Sequence, residues 1–200
     1  FVTRKDLGAN SVDELIALAK KSTDKPLTYG SVGVGSLYHL IMENVQGLTG
    51  TTMQHVPYKG NAPLLQDIAG GQVDFAVLVY SAAMGALGDQ GKLKVIGQLG
   101  AQRSELLKAV PAASEGQTLK NLSYKIWTGF MVPRSTPEDV VQRLHAAIGK
   151  TLQDPAVRSQ LAAQTQLASA PMTLAESARF FEAETAKYRA IAKAINLQPQ

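Results

Sequence analysis

Apolar positions change their spacing along this chain, and each change marks an element. Ser11 precedes VDELIALAKK, in which Leu15, Leu18 and Ala19 share one helical face. Glu14 stands three places after the serine, so the two form a capping box that satisfies orphan ends of the backbone. This helix stops at Thr23-Asp24-Lys25-Pro26, because proline restricts the residue before it and cannot continue the ladder. Residues 27–31 predict a short strand and residues 30–35 a turn. From Ser36 a helix carries Leu37, Leu40, Ile41 and Val45 on a broad apolar side until Gly47 and Gly50. Residues 53–57 predict a strand, Tyr58-Lys59-Gly60-Asn61 a turn with Asn61 as helix cap, and Gly70-Gly71 the end of that helix. VDFAVLVY, residues 73–80, then predicts one continuous buried strand. The resulting βαβαβ rhythm is that of an α/β fold, whose handed crossovers favour a parallel sheet covered by helices. Residues 92–99 add a strand at a sheet edge or between sheets, and residues 103–122 an irregular connection with a short helix.

The last third changes character. Residues 124–132 read as extended and hold Trp127, the single tryptophan. Thr136-Pro137-Glu138-Asp139 predicts a helix start with threonine as cap, proline at the first helical position and acid in the first turn. Val140, Leu144, Ile148 and Leu152 follow at four-residue spacing. Asp154-Pro155 starts a short helix, and Thr173 with Glu176 starts the last, where Leu174, Ala178, Phe181, Tyr188 and Ile195 make most of one face. Helices with so little strand do not continue the βαβ unit, so a boundary is expected between residues 127 and 133, giving bodies of 1–127 and 128–200. The apolar faces of the second body need a sheet that this stretch hardly supplies.

Composition narrows the function classes. The chain has 200 residues, an apolar fraction of 45% and a formal charge of +4, with 20 Lys and Arg against 16 Asp and Glu. No stripe of basic residues marks a nucleic-acid surface. There is no cysteine, which removes disulfides and thiolate metal sites, and no apolar run of membrane-spanning length. His39, His55 and His145 are scattered in sequence and form no ligand pattern, so neither a metal nor another cofactor is expected. Asp67 and Asp74 fall at positions suited to solvated or capping carboxylates.

Candidate chemistry lies in LTYGSVGVGSLYHL, residues 27–40. Gly30, Gly33 and Gly35 let amides converge, Ser31 and Ser36 add hydroxyls, and a helix opening near Ser36 adds unpaired N–H groups and its positive dipole end. Such a rim suits a carboxylate or a phosphate; equally, Ser36 could simply cap its helix. Nucleotide motifs fail here at the residues with the chemical work. Ser36 replaces the lysine of a P-loop, Tyr38 the third glycine of a dinucleotide fingerprint, and Tyr29 the first glycine of a nucleophile elbow. Tyr58 with Lys59, and Tyr80 with Ser81, leave later strands at the same sheet end, where ligands of parallel α/β sheets bind. Trp127, at the passage between the bodies, is either core or a cleft wall.

These segments, with HVPYKGNAPLLQDIAGGQVDF, GKLKVIGQLGAQR, WTGFMVPRSTPEDVVQRLHAAI and LQDPAVRSQLAAQ, occur in an order and spacing that resemble one family. It is the periplasmic solute-binding receptors of tripartite tricarboxylate transporters, the Bug or TctC-like family, and the likeness runs from Val12 to Tyr188. The resemblance implies a type II periplasmic-binding-protein-like fold of two lobes, parallel or mixed sheet flanked by helices. The first body would be the second lobe, and the second body the C-terminal part of a first lobe left incomplete, since full-length members carry a further N-terminal segment. It implies a small carboxylate ligand (a di- or tricarboxylate, an acidic amino acid or an aromatic acid), with Ser31, Gly33, Gly35 and Ser36 near the carboxylate and Tyr58 near the cleft. It also implies a two-subunit membrane permease as partner, a periplasmic location, and no reaction on the solute. Val79-Tyr80-Ser81 departs from the polar pair common in the family after this strand, which leaves a different solute, or none, as the expectation. Two other readings stand beside it: a sensory or protein-interaction module on the same fold, and a serine hydrolase, for which the sequence places no activating base beside Ser31 or Ser36.

Overall fold

The computed structural model describes residues 1–194 and divides into two compact units, Phe1–Lys125 with the stretch from Ile191, and Ile126–Ala190. Ile195, expected on the last helical face, lies outside the described residues.

Unit one is a five-stranded mixed sheet flanked by helices. In chain order it runs β1 (Val2–Arg4), α1 (Val12–Lys21), β2 (Thr28–Ser31), α2 (Leu37–Thr49), β3 (Gln54–Pro57), α3 (Asn61–Ala69), β4 (Phe75–Ala76), α4 (Ala82–Asp89) and β5 (Leu93–Val95). The sheet order is β3-β2-β4-β1-β5, with β2 parallel to β3 and β4, and β1 antiparallel to β4 and β5. The βαβαβ core is therefore parallel as expected, while β1 makes the sheet mixed. Three residues show too little alternation for periodicity to find β1. VDFAVLVY is corrected from a continuous strand: only Phe75 and Ala76 pair, and by Val79 the chain is exposed. Two short neighbours, each matched over two residues, set that length.

Capping follows the sequence with local shifts. Ser11 Oγ accepts from the Glu14 amide at 3.2 Å, and the Glu14 carboxylate reaches back to the Asn10 amide at 2.7 Å. Asn61 does not cap α3; Gly60 holds that position, with φ 120°. Residues 103–122 contain two short 3-10 turns, Glu105–Leu107 and Ala113–Glu115.

Alternation along β2 decides how the helices pack. Tyr29 and Ser31 face α2, whose Glu43 accepts from the Tyr29 hydroxyl at 2.6 Å. Gly30 faces the other way, where a Cβ would fall 2.1 Å from Leu64 Cδ1 of α3. Leu64, Ile68, Val2 and Ala76 then form the centre of an apolar cluster on that face. At the far end of the strands Asp74 ties three of them together. Its carboxylate accepts from Arg4 Nε at 2.9 Å, the Thr28 amide at 2.8 Å and the Thr28 hydroxyl at 3.0 Å. Asp74 is thus a structural carboxylate. Beside β5, the Phe1 nitrogen is buried and lies 2.7 Å from the Gly97 carbonyl.

Unit two carries α5 (Glu138–Gln153), α6 (Pro155–Ala163) and most of α7 (Leu174–Ala194). The expected start of α5 is corrected by one place: Pro137 is its N-cap and no side chain caps it. Asp154 caps α6, accepting from the Ala156 amide at 2.8 Å. Thr173 and Glu176 cap α7 reciprocally, at 3.1 Å and 2.7 Å. Residues 126–132 join no ladder among the described residues, Phe130 is 80% exposed, and no described residue of 126–190 is buried.

The close approach at Gly30 and the open helix site at Gly47 make opposite predictions. Gly30→Ala should lower unfolding free energy by about 1–3 kcal/mol through overpacking against Leu64. Gly47→Ala, with nothing within 4 Å of its Cβ position, should raise it by about 0.5–1 kcal/mol through helix propensity. Urea denaturation of both variants checks the pair.

Candidate functional site

Beyond β2 the chain makes a tight turn that only glycine allows at two positions, Gly33 with φ 134° and Gly35 with φ 77°. Ser31 organises it from beneath. This residue is fully buried, and its Oγ accepts from the Gly33 amide at 3.1 Å and lies 2.9 Å from the Gly33 carbonyl. His55 Nε2 of β3 stands 2.7 Å from the same oxygen. A hydroxyl has one hydrogen, so a neutral His55 donating from Nε2 leaves the O–H for the Gly33 carbonyl, and every group is satisfied. The hydroxyl that the sequence offers to a ligand is thus turned inward.

Ser36 caps α2, accepting from the His39 amide at 3.4 Å, while its own amide donates to the Gly33 carbonyl at 3.2 Å. Leu37 and Tyr38 follow as the first helical residues, whose N–H groups an α-helix leaves without intrahelical partners. Val34, at the tip, is 46% exposed. The rim is made of backbone N–H groups, a hydroxyl and an apolar side chain.

Behind it lies a cluster that sequence spacing does not show. His39 and His55, far apart in the chain, have ring centroids 4.3 Å apart. Tyr29 stacks on His55 at 5.0 Å, as their pairing across β2 and β3 requires. Glu43 Oε1 accepts from the Tyr29 hydroxyl at 2.6 Å and from Gln46 Nε2 at 2.8 Å, and lies 3.8 Å from His39 Nε2. Burial, then the neighbouring Glu43 carboxylate, pushes the Tyr29 phenol well up, so it stays a donor. Burial, followed by the charge that His39 can carry, holds His55 below the ordinary imidazole range, with Glu43 opposing. The one signal legible in sequence was the four-residue spacing of His39 and Glu43 on a helix. His145 is elsewhere, with Nε2 2.8 Å from the Met172 carbonyl.

The other candidate residues divide. Tyr58 begins beside the turn, its amide donating to the Ser31 carbonyl at 2.8 Å. Its phenol points away and donates to Asp67 Oδ2 at 2.7 Å; burial and then that carboxylate push its pKa up to about 12. Tyr80 lines an open cleft of about 420 Å³ with Met84, Gly85 and Leu93, and Ser81 caps α4 at 3.3 Å to the Met84 amide. Trp127 lies in unit two, its ring edge-on to Phe180 at 5.2 Å and its Nε1 donating to Glu184 at 3.2 Å. Among the described residues no group of three or more His, Cys, Asp and Glu side chains is placed to hold a metal ion.

The model of the tripartite tricarboxylate transporter family receptor matches residues 1–197. The chain belongs to this receptor family. It is 34% identical over 166 residues to a UPF0065 protein from the gbd 5' region of Cupriavidus necator, covering 81% of this chain and 48% of that one. BugT of Bordetella pertussis is 30% identical over 169 residues, 82% of this chain and 49% of its own. The chain spans about half the length of these curated relatives. R. palustris Rpa4515, solved with adipate, superposes with a TM-score of 0.82 at 28% identity, over 100% of this chain and 65% of that one. MatC of Rhodopseudomonas palustris, solved with malate, gives 0.79 at 25%, over 95% and 64%. The fold is type II periplasmic-binding-protein-like.

The His55 environment sets a pH dependence. A base whose pKa falls on folding binds its proton more tightly when unfolded, so stability is undisturbed above the unfolded value of about 6.5 and declines as pH drops below it. Urea unfolding at a series of pH values should show stability falling on acidification, and His55→Gln, which keeps a donor near Ser31, should remove the part that begins near pH 6.5.

Proposed function

We propose that this chain is the ligand-binding part of a periplasmic receptor that captures a small carboxylate and presents it to a two-subunit membrane permease, without reacting with it. The observation that carries the reading is the turn over residues 33–38: two positive-φ glycines lead into the opening of α2, whose first N–H groups, at Leu37 and Tyr38, have no intrahelical partners. Neutral donors at a helix N-terminus hold an anion with little cost of desolvating the site itself. Family membership supports the same reading, as do the adipate and malate in two similar structures.

Within that site Gly33, Gly35 and Ser36 face the ligand's acid group, and Ser31 acts by fixing the turn through Gly33 and His55. Tyr58 contributes through its backbone and shapes the wall beside β3. Val34 and Val79, both exposed beyond the ends of neighbouring strands, suit the apolar part of an aliphatic or aromatic acid. Tyr80 and Ser81 belong to the solute's far side. A receptor of this kind works by closing, solute favouring the closed state by its greater affinity for it.

The Ser31–His55 pair, 2.7 Å apart, is the observation that favours the hydrolase reading. Against it, Ser31 is fully buried and its oxygen already meets both polar groups of Gly33. Turnover of an activated ester, lost in Ser31→Ala, would establish that reading.

Calorimetry with adipate and malate tests the receptor. One of them should bind, and Gly35→Ala, forced into a left-handed backbone, should bind it about tenfold more weakly, the equivalent of roughly 1.4 kcal/mol of strain. No heat from any of a panel of carboxylates would sink the proposal.

A further inference from the structure

The Gly35 amide, on the rim itself, donates to His39 Nδ1 at 3.3 Å. A ring nitrogen that accepts is unprotonated, so neutral His39 carries its hydrogen on Nε2, the nitrogen 3.8 Å from Glu43 Oε1. The charged and titratable groups around this ring come from three elements. Glu43 is on α2, His55 on β3 at 4.3 Å between centroids, and Tyr29 on β2 stands behind His55 and bonds Glu43. None of these contacts among the described residues is a lysine or an arginine.

We propose that His39 is a positioning residue that gates the Gly35 amide: neutral, it keeps that amide through Nδ1, and protonated, it releases the amide to a ligand carboxylate and adds an N–H donor beside it. Two donors then face each other across a gap, and a carboxylate has one oxygen for each. Glu43 balances the imidazolium from the Nε2 side. Burial disfavours a charge on the neighbouring His55. The ligand in this inference rests on the receptor reading; the Gly35–His39 hydrogen bond does not.

Nitrogen-15 NMR of the full chain, with and without adipate, separates the two. In the free protein the Gly35 amide resonance should shift in one step as the His39 ring is protonated, with the same midpoint as the His39 ring nitrogens. His39→Asn, whose amide oxygen can accept from Gly35 but cannot titrate, should remove that step. With adipate, calorimetry should show affinity about three- to tenfold higher at pH 6 than at pH 8, and nearly flat in His39→Asn. A Gly35 resonance that ignores the His39 titration, or moves equally in the variant, overturns the gate. Adipate affinity independent of pH in the unaltered chain overturns it as well. If adipate and malate bind at no pH, the receptor reading falls, and the Gly35 titration in the free protein still decides the gate.

Discussion

Four residues of β2 fix both the packing and the site of unit one, because a strand sends alternate side chains to opposite faces. Gly30 can have no side chain, since Leu64 occupies the space a Cβ would need. Its neighbours Tyr29 and Ser31 must then both face α2, one bonding Glu43 and the other shaping the turn. A shift by one residue would drive Tyr29 into α3 and leave Glu43 without its closest donor. The depth of α3 against the sheet and the position of the turn are therefore set by one register.

That register explains why the rim can be uncharged. Polar groups that would otherwise face solvent are satisfied beneath it, Ser31 by Gly33 and His55, and Glu43 by Tyr29 and Gln46. Such a network makes a rigid floor beneath the turn. Its titratable members are also the ones through which acidity reaches the turn. Asp74, at the opposite end of the strands, anchors β1, β2 and β4 with no part in the rim.

Unit two obeys different physics. Side chains cap α6 and α7, yet none of its described residues is buried, and Phe130, Met131 and Leu167 are more than 60% exposed. Helix caps and periodicity specify where a helix begins and which side is apolar; they do not supply the surface that covers that side. Trp127 makes the best of what is present, edge-on to Phe180 and bonded to Glu184.

The sequence by itself determined the elements whose causes are local. Caps at Ser11, Ser36, Asp154 and Thr173, the glycine turn and the parallel β2–β3–β4 core all follow from neighbouring residues and their spacing. Three-residue β1 and the early end of β4 did not, because pairing partners rather than periodicity set such short strands. In the site, sequence marked Gly33, Gly35 and Ser36, but only tertiary structure turned Ser31 inward and sent the Tyr58 phenol to Asp67. It alone brought the His39 ring against His55, since a contact between a helix and a neighbouring strand depends on register and crossing geometry that no single stretch of chain contains.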